Sequence, residues 1–141
     1  MRSEDRSAAT GPLADRRGDE LVATRSFADD TTSAAEARHF VIATLTRWGC
    51  ERLVDDAQLI VSELVTNAVL HAHSPAHLDV RLVRGHLRLE VTDGGGGTPR
   101  QQPWDPHRIG GRGLMIVSRL ATRWGVDHEG GRKSVWAELA T

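Results

Sequence analysis

The sequence predicts an α+β domain, a two-layer sandwich in which a mixed, mostly antiparallel sheet is covered by three helices. Three observations lead to this fold class. Two amphipathic helical segments precede the first clear pair of strands, the strands alternate apolar and polar residues, and glycine-containing turns join the strand pairs. Helices and antiparallel strands that are separated along a chain in this way form an α+β sandwich. With 141 residues, of which 39% are hydrophobic, the chain is long enough for one such domain.

Composition argues against several classes of protein. The formal net charge is −1, which disfavours binding to nucleic acid or to an anionic membrane by bulk charge. Cys50 is the only cysteine, so no disulfide can form within the chain. The N-terminal residues lack the apolar centre of a secretory signal, and no apolar run approaches the ~20 residues that span a bilayer. We therefore expect a cytoplasmic protein.

The first 23 residues predict a disordered tail, and the folded domain is expected over residues 24–141. The tail contains charged and small residues with almost no large apolar side chain. Burial could then not offset the entropy that ordering the tail would cost. A short strand is expected near residues 25–28.

Two amphipathic helices follow the tail. Residues 34–48 place apolar side chains at helical spacing after a run of polar N-cap candidates, and Gly49 is a typical C-terminal stop. A longer helix is predicted from about Arg52 to His71. The segment Ser74-Pro75 ends it, because proline cannot continue a helix.

The rest of the domain is predicted as two hairpins and a third helix. Strands are expected over residues 77–83, 87–92, 123–128 and 133–139, and a helix over residues 113–121. Three of the four tryptophans fall in regular elements and are expected in the core, namely Trp48, Trp124 and Trp136.

The long helix carries three polar residues on one line, Glu63, Asn67 and His71. Their spacing of four residues turns only about 40° per step on a 3.6-residue helix, so the side chains form one stripe. A glutamate can act as a general base, and an asparagine oxygen can bind a hard cation such as Mg²⁺. From the pattern alone, a solvent-exposed polar face is the more common explanation of such a stripe.

Two glycine-rich stretches flank a proline-containing loop over residues 98–110. Asp93 ends a strand before Gly94–Gly97, and could present its carboxylate to an amino group of a ring that lies close to the backbone. Residues 110–113 precede the apolar third helix, where backbone N–H groups form an anion site. The structural alternatives are a flexible turn at the first stretch and a hinge at the second.

Two other kinds of site are disfavoured. The sequence contains no G-x-x-x-x-G-K-[ST] phosphate loop. The histidines His71, His73 and His77 suggest zinc, but residues two apart on a helix point in different directions and no cysteine is near.

Taken in order, ELVTNAVLHA, VTDGGGG and GGRGLMIV resemble the three ATP-binding motifs of the GHKL superfamily of ATPases and kinases. The sequences of these motifs are most similar to those of the stand-alone anti-sigma-factor serine/threonine kinases and their actinobacterial relatives. The C-terminal segment RWGVDHEGGRKSVWAEL resembles the same proteins. The resemblance covers about residues 25–140 and implies the Bergerat form of the sandwich. The loop over residues 98–110 would then be the ATP lid, shorter than in chaperone and gyrase members.

The resemblance implies a role for each motif residue. Glu63 would be the catalytic general base, Asn67 a ligand of Mg²⁺, and His71 a neighbour of the phosphates. Asp93 would accept a hydrogen bond from the adenine amino group. The other positions implied to bind ATP are Gly95 and Gly97 beneath the ring, the phosphate-binding turn of Gly111, Arg112, Gly113 and Leu114, and Ser134 near the adenine-binding aspartate.

The function implied by the resemblance is transfer of the γ-phosphate of Mg-ATP to a serine or threonine of an anti-sigma-factor antagonist. The protein would also sequester a sigma factor, as a homodimer and without direct contact to nucleic acid or membrane. Two alternatives stay open. One is a non-catalytic, ATP-responsive module that sequesters a sigma factor or another regulator. The other is a detached catalytic domain of a sensor histidine kinase.

Overall fold

The computed structural model describes residues 15–17, 20–94 and 111–141, and only the backbone of residues 15–17, 71–72 and 111–113. The strands are β1 (Asp15–Arg17), β2 (Glu20–Phe27), β3 (Ala76–Val83), β4 (His86–Asp93), β5 (Arg123–Glu129) and β6 (Arg132–Ala140). The α-helices are α1 (Ser33–Arg47), α2 (Val54–Asn67) and α3 (Gly111–Leu120). A 3-10 turn (Glu51–Leu53) precedes α2, and a π-helical turn (Ala68–Ala72) follows it.

The strands form one sheet in the order β1-β2-β3-β4-β6-β5. The predicted α+β sandwich of a sheet and three helices is confirmed. Only the expectation of a mixed sheet is wrong, because each pair in the described part of the chain is antiparallel. The connection between β2 and β3 explains why this pair is antiparallel. It contains two packed helices, α1 and α2, joined by a short loop. A short loop makes the two helices antiparallel neighbours, so the chain returns to the end of the sheet that it left.

The prediction of a disordered tail is wrong at its C-terminal end. Strand β2 starts at Glu20 and pairs along its whole length with β3, and β1 adds a short outer strand. Ala23 is only 1% exposed. The composition of a segment describes only its side chains. Pairing with β3 satisfies the backbone N–H and C=O groups of β2, so a segment with few large apolar residues is still ordered. Residues 1–14 lie outside the described part of the chain.

The predicted stop of the first helix is confirmed. Gly49 follows α1 with φ +76°, a left-handed conformation that glycine adopts without strain. The N–H of Cys50 donates to the Leu45 carbonyl oxygen at 2.8 Å, which closes the helix end. At the start of the helix, Asp30 accepts hydrogen bonds from the backbone N–H and the hydroxyl of Thr32, and these bonds lower the pKa of Asp30.

The core lies between the sheet and the helices on one face. Helix α2 is central: it packs on β4 and β6 and touches both other helices, while α1 packs on β2 and α3 on β5. The largest fully buried side chains include Leu45, Ile60, Leu64, Leu78, Leu87 and Leu89. Burying each such side chain contributes roughly 1.5–3 kcal/mol, so these helix–sheet contacts are a main source of stability.

The opposite face of the sheet carries charged residues and Trp136, so the prediction of a core position is wrong for this tryptophan. The Arg88 guanidinium lies 4.4 Å from the ring centroid, and a Cβ on Gly125 would come within 2.7 Å of the ring. Side chains alternate along β6, and inward-facing Val135 and Ala137 force Trp136 outward. Trp48 and Trp124 are partly buried against the core, as predicted.

Among the helices of residues 20–94 and 111–141, none has the length and apolar character needed to cross a bilayer.

Candidate functional site

Helix α2 brings two of the predicted site residues to its C-terminal end. Asn67 is the last residue of α2 and is only 6% exposed. Glu63 lies one turn earlier and is half-buried. A solvent-exposed polar face does not account for a buried amide, because burying an amide costs free energy unless it gains a partner. At 6% exposure, Asn67 therefore does not belong to a solvated stripe.

Helix α2 ends at Asn67, and the chain continues as the π-helical turn Ala68–Ala72. This turn contains His71, so the chain between Asn67 and His71 forms a π turn instead of an α-helical turn. The side chain of His71 lies outside the described part of the structure. The turn ends at His73, which has the left-handed φ of 50°.

A hydrogen bond ties the segment after the π turn to the end of β4. Ser74 is 8% exposed, and its hydroxyl accepts from the Gly94 N–H at 2.7 Å and donates to the Pro75 carbonyl at 3.0 Å. Two residues on, Ala76 pairs with Asp93 in the β3–β4 ladder. The sequence pattern predicts Ser74 only as part of a helix stop. Its position just before proline, between a helix and a strand, is the sequence feature that could have indicated this hydrogen bond.

Asp93 faces a lysine that the sequence motifs do not place in the site. Asp93 is 3% exposed and Lys133 is 8% exposed, and the two residues are cross-strand partners on β4 and β6. The Lys133 Nζ lies 3.8 Å from the Asp93 Oδ2. Both side chains lie on the helix-covered face of the sheet. The alternation of β6 could have found this lysine, since Val135 and Ala137 are apolar and share its parity.

Ser134, predicted to bind ATP near Asp93, faces the opposite side of the sheet from Asp93. Its hydroxyl hydrogen-bonds to the Thr92 hydroxyl at 2.8 Å, on the face of the sheet away from the helices. Successive side chains of a strand point to opposite faces, so the position next to Lys133 cannot share its face. Of the β6 residues, Lys133 occupies the place expected for Ser134.

The third motif starts helix α3. Gly111, Arg112 and Gly113 have helical backbone, and their side chains are not described. Leu114 is 2% exposed and belongs to the hydrophobic core, so it could contact a phosphate only through its backbone. Gly95, Gly97 and the predicted lid over residues 98–110 lie outside the described residues.

The donors at the end of α2 suit a hard cation that is held mainly by a nucleotide. Within the residues that the structure describes, no group of three or more His, Cys, Asp or Glu side chains could hold a metal ion. Mg²⁺ bound with a nucleotide needs only one or two protein oxygens, the rest being water and phosphate oxygens. The buried Asn67 amide with the Glu63 carboxylate one turn away fits that requirement.

Cys50 has no role in this site. Burial and the nearby Glu51 carboxylate raise the pKa of its thiol. A thiol with a raised pKa is a poor nucleophile at neutral pH, so Cys50 is a packing residue beside the core.

Comparison with known proteins gives one family and one fold. A family model for the histidine kinase-like ATPase domain matches residues 27–139. An uncharacterized protein of Streptomyces coelicolor is 35% identical over 88 residues, which are 57% of this chain and 81% of that protein. The crystal structure of the RsbU and RsbW domains of Rv1364c from Mycobacterium tuberculosis matches 84% of this chain with a TM-score of 0.65 and 19% identity.

The chain spans only 32% of the length of that crystal structure, and at 19% identity the likeness concerns the fold alone. The family match covers every described element from the end of β2 to β6. It agrees with the resemblance of the three motifs to GHKL proteins. The chain therefore belongs to the histidine kinase-like ATPase domain family.

Proposed function

We propose that the chain is an ATP-dependent serine/threonine protein kinase of the anti-sigma-factor type. It transfers the γ-phosphate of Mg-ATP to a hydroxyl of an anti-sigma-factor antagonist. One observation carries the proposal: the half-buried carboxylate of Glu63 lies one turn before the buried amide of Asn67, on a helix packed against the strand that ends at Asp93. A module that only binds ATP needs the adenine and phosphate contacts, but it has no use for a general base.

Each part of the nucleotide meets a different element in this proposal. Asp93, at the end of β4, accepts a hydrogen bond from the adenine amino group. The backbone N–H groups at the start of α3 face the phosphates, because a helix N-terminus carries partial positive charge. Asn67 would hold Mg²⁺, and the bound ion would neutralise charge at the phosphates.

Glu63 acts on the acceptor. It takes the proton of the serine or threonine hydroxyl while the hydroxyl oxygen forms a bond to the γ-phosphorus. The bond between that phosphorus and the bridging β–γ oxygen breaks, and ADP leaves. Positioning of the two substrates and neutralisation of phosphate charge supply most of the catalysis in phosphoryl transfer, with a smaller share from the base.

The partners follow from the same reasoning. The motifs resemble anti-sigma-factor kinases, and the fold likeness to a structure with an RsbW domain agrees with that branch. We therefore propose that the cytoplasmic partners are a sigma factor, which the protein sequesters, and an antagonist protein, which it phosphorylates. The proposed assembly is a homodimer.

The test is phosphate transfer from γ-³²P-labelled ATP to purified antagonist proteins encoded in the same genome. Glu63→Gln should reduce the transfer rate by about 10²–10⁴-fold, the usual contribution of a general base, and should leave ATP affinity within about twofold. Asp56→Asn is the matched control, because it removes an exposed carboxylate from the same helix. It should leave the rate unchanged.

The other outcomes separate the alternatives. If the wild-type protein binds ATP but labels none of the antagonists, the chain is an ATP-responsive binding module and the kinase proposal is wrong. If the label is acid-labile and sits on histidine, the chain is a detached sensor-kinase domain. Equal rates in the wild type and Glu63→Gln would remove Glu63 from the chemistry.

A further inference from the structure

We propose that Lys133 is a specificity-determining residue that donates a hydrogen bond to the N1 ring nitrogen of adenine, beside the Asp93 carboxylate. This inference rests on the nucleotide site of the proposed function. It assigns a role to the only lysine in the sequence, which neither the motifs nor the proposed phosphate chemistry uses.

The burial of Lys133 requires an explanation. In the part of the chain that the structure describes, Asp93 and Lys133 are the only charged residues that are buried. Moving two charges out of water is expensive, and a hydrophobic pair of similar volume is often as stable or more stable. A buried ion pair is therefore weak evidence for a stabilising device and better evidence for a site that needs both charges.

The separation of the two groups leaves room for a ligand. The distance of 3.8 Å between Lys133 Nζ and Asp93 Oδ2 exceeds the about 2.7–2.9 Å of a hydrogen bond between an ammonium group and a carboxylate. An ammonium group has three N–H donors. Within the described residues, this ion pair is the only polar contact of Nζ, so its donors are available to a molecule in the site.

Strand register places the Lys133 ammonium group beside the Asp93 carboxylate. Lys133 and Asp93 are directly opposite each other in the β4–β6 ladder, at the same end of the sheet as the Ser74–Gly94 hydrogen bond. Ser134, one residue on, faces the other side of the sheet through its bond to Thr92. Lys133 is thus the residue at this point of β6 that can reach the same ligand edge as Asp93.

The pair complements the hydrogen-bonding edge of adenine. On that edge the exocyclic amino group, a donor, stands next to N1, an acceptor. Enzymes that recognise a single base read this edge by hydrogen bonds. A carboxylate that accepts from the amino group and an ammonium group that donates to N1 satisfy both positions at once.

The test compares ATP with two analogues by calorimetry on the wild-type protein. The 1-deaza analogue replaces N1 by C–H, and the 7-deaza analogue changes the other ring and keeps N1. We expect the 1-deaza analogue to bind about tenfold or more weakly than ATP, since a hydrogen bond to a charged donor is lost. The 7-deaza analogue should bind within about twofold of ATP.

The variant Lys133→Met, which keeps an unbranched apolar stem, should weaken ATP binding and erase the difference between ATP and the 1-deaza analogue. Lys133→Arg, which keeps a charged donor, should restore part of that difference. If Lys133→Met does not fold, the wild-type comparison still decides. Equal affinity of the wild type for ATP and the 1-deaza analogue would overturn this inference and leave the nucleotide site standing. A full difference retained in Lys133→Met would show that another group contacts N1. Failure of ATP itself to bind would overturn the proposed function as well.

Discussion

Asp93 shows how one residue depends on both its chain neighbours and its neighbours in space. Its position before four glycines made it a candidate from the sequence. Its burial and its partner Lys133 come from strand pairing. A carboxylate in such a place is a stronger hydrogen-bond acceptor than a neutral amide, because charge-assisted bonds are shorter and stronger.

Asp93→Asn should therefore weaken ATP binding by about tenfold or more, measured by calorimetry. The substitution also leaves Lys133 buried without its counter-charge, which lowers stability by about 3–5 kcal/mol when a buried pair is broken. Binding must be measured well below the melting temperature of the variant. Asp127→Asn, at an exposed position of β5, is the control and should bind ATP normally. Unchanged affinity in Asp93→Asn would refute the assignment of the adenine site.

At the scale of elements, α2 serves both the core and the site. Its apolar stripe packs on β4 and β6, and its C-terminal end presents Asn67. The helix could be predicted from its 3.6-residue period. The π turn after it could not, because a single widened turn leaves that period almost unchanged.

Two adjacent residues of α2 test which face of the helix packs in the core. Ile60 is fully buried and Leu59 is 41% exposed. Ile60→Ala should lower the free energy of unfolding by about 2–5 kcal/mol through lost burial and a cavity. Leu59→Ala should change it by no more than about 0.5 kcal/mol. Urea denaturation measures both, and similar losses in the two variants would contradict the orientation of the helix.

At the scale of the whole molecule, the candidate site is assembled from three separated parts of the chain. Asn67 lies on a helix, Asp93 ends a central strand, and Lys133 begins the neighbouring strand. The antiparallel order β3-β4-β6 and the helix layer on one face bring these parts to one end of the sheet. A ligand that contacts all of them binds only the folded state.

ATP should therefore raise the melting temperature of the wild-type protein. At a free concentration one hundred times its dissociation constant, a ligand of this kind stabilises the fold by about 2.7 kcal/mol. For a chain of 141 residues, this corresponds to an increase of several degrees. Differential scanning calorimetry with and without Mg-ATP measures it, and Asp93→Asn should show a smaller increase at the same ATP concentration. A melting temperature independent of ATP would contradict the proposed site.

The sequence by itself determined the local elements and the order of the motifs. The ends of the helices and strands after residue 30 were predicted to within a few residues, because helical and strand periods and turn residues such as Gly49 act over short distances. The spacing of Glu63 and Asn67 was likewise visible, since both lie on one continuous helix.

Only the tertiary structure decided which side chains face one another. The burial of Asn67, the pairing of Lys133 with Asp93 and the outward position of Trp136 depend on elements far away in the chain. The same holds for the strand that residues 20–23 form with β3. Composition and spacing describe a segment alone, whereas burial and strand register are set by the surface against which that segment packs.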